Sequence, residues 1–150
     1  MSRNKTLRLN NVMIVEIQEI GLQEVSIAVQ KMENYLKVNG ALPIGPLIEY
    51  LKLEISNNEV FYRRFLLRQA NKYLCHVEEP YSMKNIVRVQ NCMYCRYVGP
   101  ENQINIAGAK LSVLAFEENV SLKGDSYTVF VDQNDDYLVA DLFMERDSNE

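Results

Sequence analysis

An α+β fold built from two tandem β-α-β-β halves is what this sequence predicts, and three observations predict it. Two β-prone runs, Val12–Ile17 and Cys92–Tyr97, lie about 80 residues apart. Each is followed by apolar residues at helical spacing. Each helical stretch then meets Asn or Gly punctuation and two further β-prone runs.

The first helical stretch carries Ile20, Val25, Ile27, Ala28, Met32, Tyr35, Leu36 and Val38. The second carries Ile104, Ala107, Leu111, Leu114, Ala115 and Phe116. Asn39-Gly40 and Asn119 are the expected stops, because Asn and Gly tolerate the left-handed backbone of a helix C-cap. Asn39–Pro46 parallels Asn119–Asp125, with Gly40 and Gly45 read as turn residues. The strands expected next are Leu47–Leu53 and Val60–Arg68, then Ser126–Asp132 and Tyr137–Glu145. Asn57-Asn58 and Asn134-Asp135 supply the turns between them. The expected architecture is two antiparallel sheets, each backed by one helix, with a ligand cleft between the halves. The repeats span 12–68 and 92–145 and are joined by 69–91, all within a single domain over 1–150. The charged start (Arg3, Lys5, Arg8) and the acidic end, Glu145–Glu150, read as solvated tails.

Composition excludes several function classes. A chain of 150 residues buries roughly 70% of its unfolded surface and needs no metal or disulfide staple. Sixteen basic and twenty acidic side chains give a net charge of −4, a poor basis for direct nucleic-acid binding. No run approaches the ~20 apolar residues of a membrane span, and no secretory signal is visible, so the cytoplasm is the expected compartment. Cys75, Cys92 and Cys95 are an odd count and do not read as a disulfide framework. Cys92 and Cys95 have CxxC spacing, but within a strand positions three apart face opposite ways. No shared metal or disulfide is expected there. The only histidine, His76, sits beside Cys75 in the connecting segment, and no catalytic constellation or cofactor site is expected.

Strand alternation points to binding instead. Leu138, Ala140, Leu142 and Met144 form one apolar face, expected to pack under a helix. The other face carries Tyr137, Val139, Asp141, Phe143 and Glu145. Tyr94 and Arg96 share a face of the strand that opens this half, opposite Met93, Cys95 and Tyr97. Aromatic rings attract cations by about 0.5–2 kcal/mol per contact, and a partly buried carboxylate adds Coulomb attraction. Asp141 is the expected counter-charge, with Tyr137 and Phe143 on its strand. Tyr94 and Tyr127 are further ring contacts, and Tyr50 and Tyr62 are candidates from the first half.

At Tyr97-Val98-Gly99-Pro100, Gly124-Asp125-Ser126-Tyr127, Tyr137–Met144 and Gly45–Tyr50 the sequence resembles the GyrI-like, or effector-binding, family. The resemblance implies a ligand cleft of the kind found in MerR- and AraC-type transcription regulators and in stand-alone proteins. It implies a small-molecule effector, cationic or lipophilic, and leaves open whether the chain forms a homodimer. The family places a Glu in its last strand to meet cationic ligands. Asp141 matches that position best, although its spacing from Tyr137 is one residue longer and the usual following proline is replaced by Met144-Glu145. Glu145 is the alternative anchor. A chain starting at Met1 leaves no room for a winged DNA-binding module, so a stand-alone sensor or an isolated effector domain is expected. The rival readings are a small-molecule hydrolase and an adaptor that inhibits a partner enzyme.

Overall fold

The computed structural model describes residues 2–18 and 21–147. Expectations that fall on Ile20, on the side chain of Arg3 and on residues 148–150 lie outside the described residues. The element order is β1 (Ser2–Ile17), α1 (Leu22–Val38), β2 (Pro43–Ser56), β3 (Glu59–Ala70), β4 (Tyr81–Gly99), α2 (Asn105–Glu117), β5 (Leu122–Gln133) and β6 (Leu138–Arg146). A single 3-10 turn, Glu101–Gln103, leads into α2. Among the described residues the fold is therefore antiparallel α+β, with six strands and two α-helices.

The chain divides into two units, Arg8–Val87 and the remainder, which takes the start through Leu7 and everything from Arg88 onward. In the Arg8–Val87 unit, β3 runs antiparallel to both β1 and β2. Val15 pairs with Leu66, and Tyr50 with Phe65. Met13, Val15, Met32, Leu36, Ala41, Leu66 and Ala70 form its core, so the odd-numbered side of β1 and the even-numbered side of β3 lie under α1. Burying a Leu or Met side chain contributes about 1.5–3 kcal/mol, which outweighs the modest helix propensity of the β-branched residues in α1. An ion pair from Arg68 to Glu33, 2.8 Å, ties β3 to the helix.

The second unit repeats this order. Here β6 runs antiparallel to both β4 and β5. Met93, Cys95, Ala107, Leu111, Ala115 and Leu142 form its core, with Met144 packed against it. Leu142 and Met144 thus lie under α2, the side expected of them. The small side chains of Ala107 and Ala115 flank Leu111 along one stripe of α2 and let the helix approach the sheet.

Both helices stop for the same local reason. Gly40 (φ 83°) and Asn119 (φ 56°) take the left-handed conformation just past the C-cap. The next amide returns to the carbonyl five residues back, Ala41 to Leu36 at 2.9 Å and Val120 to Ala115 at 2.8 Å. These bonds satisfy carbonyls that a helix end would otherwise leave unpaired. Asn57 and Asn58, both at positive φ, make the tight β2–β3 turn. Asn134 closes the β5–β6 turn by accepting the amides of Asp136 and Tyr137 on its side-chain oxygen, at 2.7 and 2.9 Å.

Several expectations need correction. The start of the chain is a strand with Leu7 and Leu9 buried, not a solvated tail. Residues 81–91 belong to β4, and Val89 is buried, so the non-strand connection shrinks to 71–80. Gly45 and Gly124 lie within strands, at shifts in register between Ile44 and Ile48 and between Leu122 and Ser126. Their positive φ angles, 72° and 101°, absorb the extra residues of those bulges. Asn11 and Asn91 also sit at positive φ within the two long strands. Tyr137 belongs to the β5–β6 turn, one residue before β6 begins.

Candidate functional site

The helix-free face of β4, β6 and β5 brings most of the expected residues of the second half together. Antiparallel pairing sets Tyr94 beside Phe143 and Phe143 beside Tyr127. The next row on the same face is Arg96, Asp141 and Val129. Directly paired side chains point to the same side of a sheet, so a row of rings abuts a row of charge. The Tyr94 and Phe143 ring centroids are 5.0 Å apart and tilted by 47°. Phe143 and Tyr127 are buried, whereas Arg96 is exposed, so the face is apolar at one row and open at the next.

Asp141 is the hub. Its Oδ1 accepts the Tyr94 hydroxyl at 2.7 Å and the Arg96 Nε at 2.8 Å. Its Oδ2 accepts Arg96 Nη2 at 3.0 Å, which completes a two-point grip. The carboxylate side chain is 16% exposed and the Arg96 side chain 51%. Burial alone would raise the Asp141 pKa, but hydrogen bonds from Arg96 and Tyr94 outweigh it and hold the carboxyl below its ordinary range. Burial pushes the Tyr94 phenol the other way, upward, helped by its bond to the carboxylate. Lys5 Nζ stands over the Tyr94 ring, 5.2 Å from its centroid.

The remaining expected residues are placed differently. Glu145 lies on the same face but pairs with Lys123 at 3.5 Å, and its strand partner is Cys92. Tyr137 is exposed in the turn, with its hydroxyl 3.4 Å from Asp132. In the Arg8–Val87 unit, Tyr50 stacks on Phe65 with centroids 5.6 Å apart, on that unit's helix-free face. The Arg63 guanidinium lies 5.2 Å from the Phe65 centroid. Arg63 also holds Glu16 at 2.7 and 2.9 Å and Glu54 at 3.3 Å. Hydrogen bonding from Arg63 holds both carboxyls below their ordinary range. Tyr62 is exposed and, being one residue before Arg63 on β3, faces the opposite side from Phe65 and Tyr50.

Sequence reasoning missed two side chains at the Asp141 site. Arg96 was visible as a face-mate of Tyr94, but its role appears only when the register sets it opposite Asp141. Lys5 falls in a stretch whose composition reads as a solvated tail. Its signal was the alternation of Lys5, Leu7 and Leu9 with Thr6, Arg8 and Asn10, which is the period of a strand.

Strand alternation puts Cys95 in the cluster under α2, with its thiol 3.7 Å from the Ala107 carbonyl oxygen, and Cys92 on the other face. Burial pushes both thiols upward, Cys92 to about 11. Cys75 is exposed and, with His76, lines a concavity beside the C-terminal end of α1. Among the described residues, no three His, Cys, Asp or Glu side chains converge as a metal ligand set. No described helix is long and apolar enough to cross a membrane.

The fold and the paired carboxylate define an antiparallel α+β protein with an aromatic and acidic sheet face. No family model matches the chain, and no curated protein does. Among solved structures the chain resembles SAV2435, determined bound to tetraphenylphosphonium. The TM-score is 0.53 at 9% identity, over 99% of this chain and 96% of the other. At that identity the likeness is one of fold.

Proposed function

We propose that this protein binds an aromatic, lipophilic cation on the helix-free face of β4, β5 and β6, and that it acts as the small-molecule sensor of a bacterial transcription regulator. The observation that carries the reading is Asp141, a part-buried carboxylate held by Arg96 and Tyr94 and set beside the Tyr94–Phe143 ring pair. Rings supply an attractive surface for a delocalised cation, and a carboxylate screened from water supplies the counter-charge. A fold shared with a protein solved bound to tetraphenylphosphonium supports the ligand class. The sequence resemblance described above supports the regulatory role.

Binding is favoured over catalysis by the charge states at the site. A carboxyl held below its ordinary range is a weak base, and a phenol pushed above its range is a weak acid. The test is calorimetry with tetraphenylphosphonium and with tetraphenylborate, its near-isosteric anion. Asp141→Asn keeps the shape and removes the charge. It should cost the cation about 1–3 kcal/mol of binding, the worth of a charged hydrogen-bonding group, while leaving the anion no weaker. Equal loss for both ions would make the carboxylate structural, and Glu145 the next anchor to test.

We also infer that the chain is a tandem duplication. Support comes from the shared strand order, with β3 between β1 and β2 and β6 between β4 and β5, and from the matched helix stops at Gly40 and Asn119. Asn11 and Asn91, both at positive φ within a long strand, add a third match. Cross-strand amide contacts in solution that paired β1 with β2, or β4 with β5, within a unit would overturn it.

A further inference from the structure

We propose that Arg96 is a built-in competitor for the cation site: its guanidinium occupies the place on Asp141 that a ligand's positive group takes, and it must swing into solvent for the ligand to bind. This rests on the binding reading above and names the residue that sets its selectivity. The grip is specific, because Nε and Nη2 each meet a different carboxylate oxygen, at 2.8 and 3.0 Å. The two partners differ in what they lose on separation. Arg96 is half exposed, so its head group can rehydrate without leaving a packed position. Asp141 is part-buried, its side chain 16% exposed, and among the described residues it would keep the Tyr94 hydroxyl bond and the more distant charge of Lys5. A part-buried carboxylate loses more than an exposed one when its counter-ion leaves, so Asp141 gives up Arg96 more readily to another cation than to water.

Charge balance on this face points the same way. Arg96 grips Asp141 and Lys5 lies over the Tyr94 ring, while Glu145, on the same face, is paired with Lys123. The site is therefore already supplied with cations of its own. A small hydrated cation gains nothing by displacing Arg96, since it offers no more than the guanidinium does. A cation that carries rings gains contact with Tyr94 and Phe143 as well, and can win the exchange. Arg96 thus converts an acidic site from a general cation binder into one that demands aromatic surface. The other unit shows an independent case of the same pairing, in which Arg63 covers Phe65 and grips Glu16 and Glu54.

The experiment compares the full chain with Arg96→Gln, Arg96→Lys, Asp141→Asn and the Arg96→Gln/Asp141→Asn double variant. Tetraphenylphosphonium and tetraphenylborate are titrated into each by calorimetry. Arg96→Gln should tighten tetraphenylphosphonium about three- to tenfold, between the worth of an exposed ion pair and that of a charged hydrogen bond, and should weaken tetraphenylborate. It should also admit tetramethylammonium, which lacks rings. Arg96→Lys keeps the charge but loses the two-point grip, so its gain should be smaller; it also serves if Arg96→Gln fails to fold. In the Asp141→Asn background the Arg96 change should bring little gain, because there is no carboxylate left to free. Unchanged or weaker tetraphenylphosphonium binding in Arg96→Gln and in Arg96→Lys, with the wild type binding normally, overturns the competitor alone. No binding of either ion by any variant overturns the binding reading, and the competitor with it.

Discussion

Asp141 shows how far one residue's role depends on its neighbours across the sheet. Strand alternation alone puts Asp141, Phe143 and Glu145 on one face, and that much was legible in the sequence. The Arg96 partnership was not, because it requires knowing that β4 pairs with β6 in the register that sets 96 against 141. The folded carboxyl lies below its ordinary value, with burial opposed and outweighed by the Arg96 and Tyr94 bonds. Its contribution to stability is therefore fully present above the unfolded pKa of about 3.9 and is lost as pH falls through the lower folded value. Asp141→Asn should flatten that acid limb of a thermal-melt series and lower the melting temperature above pH 5 by a nearly constant amount. An unchanged acid limb would mean that the pair does not persist in solution. The cysteines give a second test at this scale. Cys75 is exposed, whereas burial raises the thiols of Cys92, to about 11, and Cys95. Since the thiolate is the nucleophile, an aromatic disulfide reagent at pH 8 should label Cys75 quickly and the other two only on unfolding. Rapid native labelling of all three would contradict their packing.

At the level of elements, the punctuation was readable and the strand lengths were not. Helix stops and the Asn57-Asn58 turn follow from the local chemistry of Gly and Asn, which needs no tertiary information. The extensions of β1 back to Ser2 and of β4 back to Tyr81 were hidden by charge. Lys5, Arg8, Lys84 and Arg88 interrupt the apolar runs, yet each occupies a position of its strand that solvent can reach. A period-2 pattern with one charged face resembles a tail when the buried face holds only two leucines. The helix stops can be tested directly. Gly40 has φ 83°, and a Cβ there would meet only the flexible end of Lys72, at 3.4 Å. Gly40→Ala should therefore cost about 1 kcal/mol from backbone conformation rather than from collision. Leu111→Ala should cost more, about 2–5 kcal/mol in urea unfolding, because Leu111 is fully buried between two alanines that cannot fill the space. A loss below 1 kcal/mol would mean that α2 does not pack on β4 and β6 as described.

The whole chain depends on its first strand in a way that composition does not reveal. A polar, basic start in a chain of net charge −4 reads as solvated, and by that reading its removal would cost nothing. The structure assigns Leu7 to the unit that contains the Asp141 site and Leu9 to the Arg8–Val87 unit. Both are buried, at 7% and 4% exposure. Asn10 also donates its amide to the Gln69 side chain at 3.0 Å, and Asn11 donates its side-chain amide to the Ala70 carbonyl, so the strand is bonded as well as packed. Deleting residues 2–10 removes one buried leucine from each unit and takes Lys5 from the Tyr94 ring. Each unit should therefore lose stability, by about 2–5 kcal/mol for a buried leucine in each. The single variants Leu7→Ala and Leu9→Ala separate the two contributions, and Lys5→Ala, at an exposed position, should leave stability nearly unchanged. Urea unfolding followed by hydrogen exchange assigns each loss to its unit, since amides of β6 report on one and amides of β3 on the other. A truncated chain that unfolds at the wild-type urea midpoint would restore the solvated tail.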